Sequence, residues 1–332
     1  MDPRSFGDMQ STSVVRICAL SLVCLGTACD RNAKPENTGD KRATDELARG
    51  RGSMSVGGGA SSTHSAQRDA GTIAADSSKD ENTAPPAATF SFFVTSLQGM
   101  RELSKNEQGF GGDLRYGEAT GLAGADKICT ELAERSMAGA RSKGWRAFLS
   151  TAKGSPDGGP THAKDRIGTG PWYDRTGRLI AMDLSALLQV RPAGADPAIV
   201  NDLPNERGEP NHSDTEPDKS DNHDIVTATN AQGMYDGRPT CDDFTSVETP
   251  IPMAMSMMGA AGRGGLGRGA FMHYGPGVGH SWPAQSGMSW TTAHGAPGCA
   301  PSVALVQTGP GEGDGIGNAG GYGAIYCFAL SP

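Results

Sequence analysis

The stretch from Gly121 to Ser150, GLAGADKICTELAERSMAGARSKGWRAFLS, restricts the fold more than any other part of the chain. Leu122, Ala125, Cys129 and Leu132 recur at spacings of three and four, the apolar stripe of an amphipathic helix, and they put a cysteine on the side that must be buried. Thr120 is suited to cap the start of this helix, and Gly139 with Gly144 stops it. The period then changes to two: Trp145, Ala147 and Leu149 alternate with Arg146, Phe148 and Ser150, as in a strand. An inward cysteine on a helix, followed by a Trp-led strand, makes a folding nucleus. It also calls for a second cysteine elsewhere.

The first residues read as an export signal. Arg16 precedes an apolar run from Ile17 to Leu25, about the length of a signal h-region and too short to span a bilayer. The run ends in Leu25, Gly26, Thr27, Ala28 and Cys29, which resembles a lipoprotein cleavage site. Residues 1–28 are therefore expected to be a lipoprotein-type signal peptide, with Cys29 lipidated and serving as a membrane anchor. An ordinary signal cut after Ala28 is the alternative. Residues 29–88 carry Leu47, Met54, Val56 and Ile73 as their only large aliphatics and no aromatic. Such a segment cannot offset its ordering entropy and is expected to be a disordered tether.

The folded part is expected over residues 89–332 as a single domain. Phe90 to Ser96 is an aromatic and β-branched run suited to a buried first strand, and Leu97 to Tyr116 reads as a polar loop. Trp172-Tyr173 and Leu179-Ile180-Ala181 flank Asp174-Arg175-Thr176-Gly177, a hairpin turn. Leu184 to Leu188 suggests a helical turn or two, and Ile225 to Thr229 a strand. Pro250 to Pro283 reads as a long loop, and Gly309 to Gly323 as another before a final central strand, Ala324 to Phe328. With 48 glycines and 21 prolines among 332 residues, much of the chain has to be loop. A formal charge of −8 argues against a nucleic-acid partner, which needs a basic stripe.

Of the seven cysteines, Cys18 and Cys24 lie in the signal and Cys29 is assigned to the lipid. Cys129, Cys241, Cys299 and Cys327 remain, an even number without zinc-ribbon spacing, so disulfides are expected in any of three connectivities.

GLAGADKIC and GWRAFLS, followed in order by DRIGTGPWYDRTGRLIA, CDDFTS, SWTTAH and AIYCF, resemble the endostatin domain of basement-membrane collagens. They resemble still more closely a group of bacterial secreted lipoproteins of unknown function that share its C-type-lectin-like fold. The resemblance spans Phe90 to Leu330. It implies one α+β domain of C-type-lectin-like, endostatin-like type with long loops. It also implies the pairs Cys129–Cys327 and Cys241–Cys299, worth roughly 4 kcal/mol each in the chain-entropy account. It brings no catalytic residues.

Several clusters could carry chemistry. Glu209-Pro210-Asn211 is similar to the calcium- and sugar-binding tripeptide of C-type lectins. With Asp214, Glu209 and Asn211 form an expected calcium set, and Asp202, Asn205, Glu216, Asp218, Asp221 and Asp224 add nearby oxygens. Glu209, Asn211 and His212 are the expected ligand-binding residues; the plainer reading is a solvated, turn-rich loop. His212 and His223 bracket this acidic loop and could join aspartates around a transition metal. Met253, Met255, Met257 and Met258, with His273 and His280, resemble a copper-binding patch. His294 could face a pocket, although no nucleophile-elbow, zincin or phosphate-loop motif accompanies it. The expectation is a non-enzymatic lipoprotein at the outer membrane or cell surface, or otherwise periplasmic or extracellular, whose head binds a glycan or protein. The alternatives are a metal-binding module, with calcium in the 201–224 loop or copper at the methionines, and an unrecognised hydrolase.

Overall fold

In chain order the elements are β1 (Phe92–Val94), α1 (Leu97–Ser104), α2 (Gly121–Ser136), β2 (Trp145–Ala147), β3 (Trp172–Tyr173), β4 (Leu179–Ala181), α3 (Leu184–Leu187), β5 (Asp224–Val226), β6 (Gly277–His280), β7 (His294–Gly295) and β8 (Gly321–Ala329). The computed structural model describes residues 89–212, 222–250, 274–283, 288–306 and 313–331. Residues 1–88 with Cys29, Asp214, the four methionines of the expected copper patch and His273 lie outside these residues. Helices and sheets of this mixture make the described part an α+β fold.

β8 organises the sheet. β1 and β2 both pair antiparallel with it through Cys327, so they must take opposite edges. β5 lies parallel to its first half, and β6 and β7 follow in antiparallel steps, giving the order β1-β8-β5-β6-β7. Every residue of β8 is buried. Phe328 alone meets the rings of Phe92, Phe148, Trp172 and Trp290 at centroid distances of 5.0, 5.8, 5.4 and 6.2 Å. Truncating so central a ring costs about 3–5 kcal/mol in ordinary cores.

The helix expected from the Cys129 stripe is α2. Thr120 Oγ1 accepts from the Ala123 N–H at 3.2 Å, and Ile128, Cys129, Leu132 and Ala133 are buried. Cys129 forms a disulfide with Cys327 of β8, and Cys241 with Cys299, so the first bridge fastens helix to central strand. Asp126 adds a polar tie: it accepts from the Ala147 N–H at 2.9 Å and pairs with Arg166 at 2.7 Å.

Three stretches differ from the sequence reading. Leu97–Ser104 is a helix rather than a polar loop, because Ser96 caps it and Met100 and Leu103 turn inward. The stretch read as one long loop, Pro250 to Pro283, contains β6, and β8 begins at Gly321, inside the glycine run. Both strands are glycine-rich, so propensity hides them. Residues Cys241 to Phe244 wind left-handed, with φ of 54°, 54°, 55° and 63°. Thr240 Oγ1 accepts the Asp243 N–H at 3.0 Å, and the Asp243 carboxylate takes the N–H groups of Ala152 and Lys153 at 2.7 and 3.1 Å.

Candidate metal centre

Three histidines and an aspartate converge where β5, β6 and β7 run side by side. Asp224 opens β5, and its cross-strand partner in β6 is His280. His294 opens β7 opposite Val278 of β6, and His223 directly precedes Asp224. The Ser281 N–H donates to the His223 carbonyl at 2.9 Å and carries the β5–β6 pairing one residue further. Two glycines let the backbones close in. A Cβ on Gly279 would strike the Trp290 carbonyl, and one on Gly321 would stand 2.9 Å from the Asp224 carbonyl oxygen.

Asp224 Oδ1 lies 3.2 Å from His223 Nε2, 3.5 Å from His280 Nε2 and 3.1 Å from His294 Nε2. With metal–ligand bonds of about 2.0–2.1 Å, tetrahedral ligand atoms sit about 3.3 Å apart. The aspartate-to-histidine edges therefore already have the spacing an ion requires. One ligand atom from each of the four residues lies within 4.8 Å of the others. His223, Asp224 and His280 are buried, and the side chain of His294 is 22% exposed.

Neighbouring groups orient these ligands. His294 Nδ1 donates to the Gly295 carbonyl at 3.1 Å, which orients the ring and leaves Nε2 as the atom that faces Asp224. Burial, the largest influence on His294, disfavours its imidazolium; the hydrogen bond and charge of Asp224, with the Gly295 carbonyl, outweigh it and raise the pKa above the ordinary value. Arg191 clamps the end of β6: Nη1 donates to the His280 carbonyl and Nη2 to the Ser281 carbonyl, both at 2.7 Å, while Nε reaches Val200 at 2.8 Å. Burial lowers its pKa.

Three imidazoles and a carboxylate suit zinc, copper, iron or nickel, and differ from the six to eight oxygens that calcium takes. The tripeptide and its neighbours lie on a different wall. Glu209, Asn211 and His212 line one cavity of about 500 Å³ together with Arg207 and Tyr322. The Glu209 carboxylate accepts from Arg207 Nε at 2.7 Å and Asn205 Nδ2 at 3.3 Å, and both contacts lower its pKa. Asn211 points inward, with Nδ2 donating to Ser281 Oγ at 3.1 Å and Oδ1 accepting from the Tyr322 hydroxyl at 2.7 Å. Glu209 and Asn211 thus face different partners. His212 stacks on Trp282 at 4.3 Å, and Trp282 meets His223 edge-on at 5.7 Å, so His212 stands one ring away from the cluster.

The sequence reading singles out His223, His280 and His294, each in a different candidate site, and treats Asp224 as one loop oxygen among many. The clue that could have joined them is His223-Asp224 at the head of one strand and a Gly-Val-Gly-His run ending another. No known protein family, curated protein or solved structure matches the chain.

Proposed function

We propose that this protein is an exported metal-binding protein whose head holds one transition-metal ion, of the zinc or copper class, between His223, Asp224, His280 and His294. The observation that carries this reading is the approach of three imidazole Nε2 atoms to one carboxylate oxygen at 3.1–3.5 Å in a buried place. An ion at this place would take the three Nε2 lone pairs and the carboxylate oxygen at close to these spacings. Two disulfides support an oxidising compartment, in keeping with lipid anchoring through Cys29 and a lectin-like head.

The test is zinc titration of the purified full chain against a chromophoric chelator, with thermal melts in parallel. One equivalent should bind, and zinc at about 100 times its Kd should add about 2.7 kcal/mol, raising the midpoint by roughly 5–11 °C. Asp224→Asn and His280→Gln should abolish that rise. Stoichiometric binding that survives both substitutions would sink the assignment.

A second reading, ligand capture by the head, is favoured by the cavity that Glu209, Asn211 and His212 share. Its volume suits a small polar ligand such as a sugar unit. A glycan array probed with the wild type and with Glu209→Ala tests it; equal binding patterns, or none, would end it.

A further inference from the structure

We propose that the ion in this cluster keeps one coordination position open beside His294 and fills it with a small anion. This rests on the metal reading above and adds to it the chemical class of an exchangeable ligand.

Charge is the first reason. A divalent ion with one carboxylate and three neutral imidazoles retains one positive charge. Asp224, His223 and His280 are 2%, 3% and 0% exposed, so water does not screen that charge. Of the buried ionic groups around the cluster, Arg191 bonds the carbonyl oxygens of Val200, His280, Ser281 and Met288 and is itself faced by the Asp202 carboxylate, so neither is left over to balance the ion. On the outer side, Arg238 Nη1 donates to the His294 carbonyl at 2.9 Å, and its charge is partly offset by Asp236 at 3.4 Å. A buried excess of positive charge is stable only when an anion compensates it.

Geometry is the second. A regular tetrahedral site would hold three imidazole rings at equal separations. Here the ring centroids stand 4.2 Å apart for His223 and His280, 5.2 Å for His280 and His294, and 6.1 Å for His223 and His294. The widest gap adjoins His294, the ligand whose side chain reaches solvent. Four evenly spaced protein ligands would close a zinc site; the uneven ring spacing instead leaves an outward gap where a fifth ligand can join, a coordination number zinc can reach. With His294 the one partly exposed member and the other three residues buried, the fifth ligand is limited to a few atoms.

The experiment uses the full chain loaded with cobalt(II), whose visible bands report coordination number, titrated with azide. The expected result is a saturable shift of the bands, with falling intensity as four-coordinate cobalt becomes five-coordinate; the chain carrying both Asp224→Asn and His280→Gln should lose this response. Azide-insensitive bands on a stoichiometrically loaded protein would overturn the open position and leave a closed structural ion. A response that persists in that double variant would also overturn it, because the cobalt would lie elsewhere. Failure of cobalt to bind at all would instead remove the metal reading on which the proposal stands.

Discussion

Gly321→Ala tests the centre without touching a ligand. Gly321 is the β8 partner of Asp224, and its φ is not in the left-handed region, so alanine itself fits the backbone. The added Cβ would stand 2.9 Å from the Asp224 carbonyl oxygen and 3.0 Å from its Cβ. Ordinary contacts begin near 3.4 Å, so one of the two strands has to yield by about half an ångström. Metal–ligand distances tolerate about 0.2 Å. Asp224 Oδ1 is the shared vertex of all three histidine contacts, so its displacement disturbs every edge at once. The expected loss is about 10–100-fold in zinc affinity, or roughly 1.4–2.8 kcal/mol, comparable to removing an orienting neighbour. Overpacking should cost the metal-free fold about 1–3 kcal/mol as well. Chelator competition gives the first quantity and urea melts of the metal-free protein the second. An unchanged zinc Kd in a protein that melts earlier would refute the reasoning, since Asp224 would then have moved without the ion noticing.

Three further outcomes are expected. In the metal-free protein the raised His294 pKa means that its protonated form stabilises the fold; that contribution is complete below the ordinary value of 6.5 and is lost as pH rises through the raised one. Urea melts should therefore show His294→Asn costing more at about pH 5.5 than at about pH 8, while zinc affinity in the wild type climbs over the same window because the ion needs the neutral ring. Replacing Cys129 and Cys327 together by alanine releases a 198-residue separation and should lower stability by about 5 kcal/mol in the chain-entropy account, read from denaturant midpoints. Asp242→Gly, at an exposed left-handed position, should leave stability unchanged or raise it by about 0.5 kcal/mol, where the same change in a right-handed helix costs about 0.3. A drop in stability in thermal melts, rather than no change or a rise, would contradict the left-handed turn.

What the sequence makes legible is local. α2 is readable because Thr120, the Cys129 stripe and the change of period at Trp145 all agree within one stretch. The β3–β4 hairpin is readable because Asp174 to Gly177 carries turn chemistry: Asp174 Oδ1 accepts from the N–H groups of Thr176 and Arg178 at 2.9 and 2.8 Å. β6 is unreadable for the opposite reason. Its glycines have no strand propensity, and they are there because Asp236 and the Trp290 carbonyl lie where side chains would go. The centre inherits this difficulty. Four ligand residues spread over 72 positions meet only through the pairing of β5 with β6 and of β6 with β7, and register between distant strands leaves no local trace. The disulfide pairing came from the resemblance, not from spacing, and is the pairing the structure contains.

The bridge between α2 and β8 has a consequence for how the molecule matures. Its sulfurs, and those of Cys241 and Cys299, are taken from residues that play no part in the histidine–aspartate cluster. Oxidation and ion loading therefore draw on separate atoms and do not compete for them, unlike a thiolate centre, where an oxidant destroys the donors the ion needs. Covalent closure can be complete before any ion arrives, and stripping the ion leaves the crosslinks untouched. On the proposed metal reading, a head without its ion would still carry both disulfides.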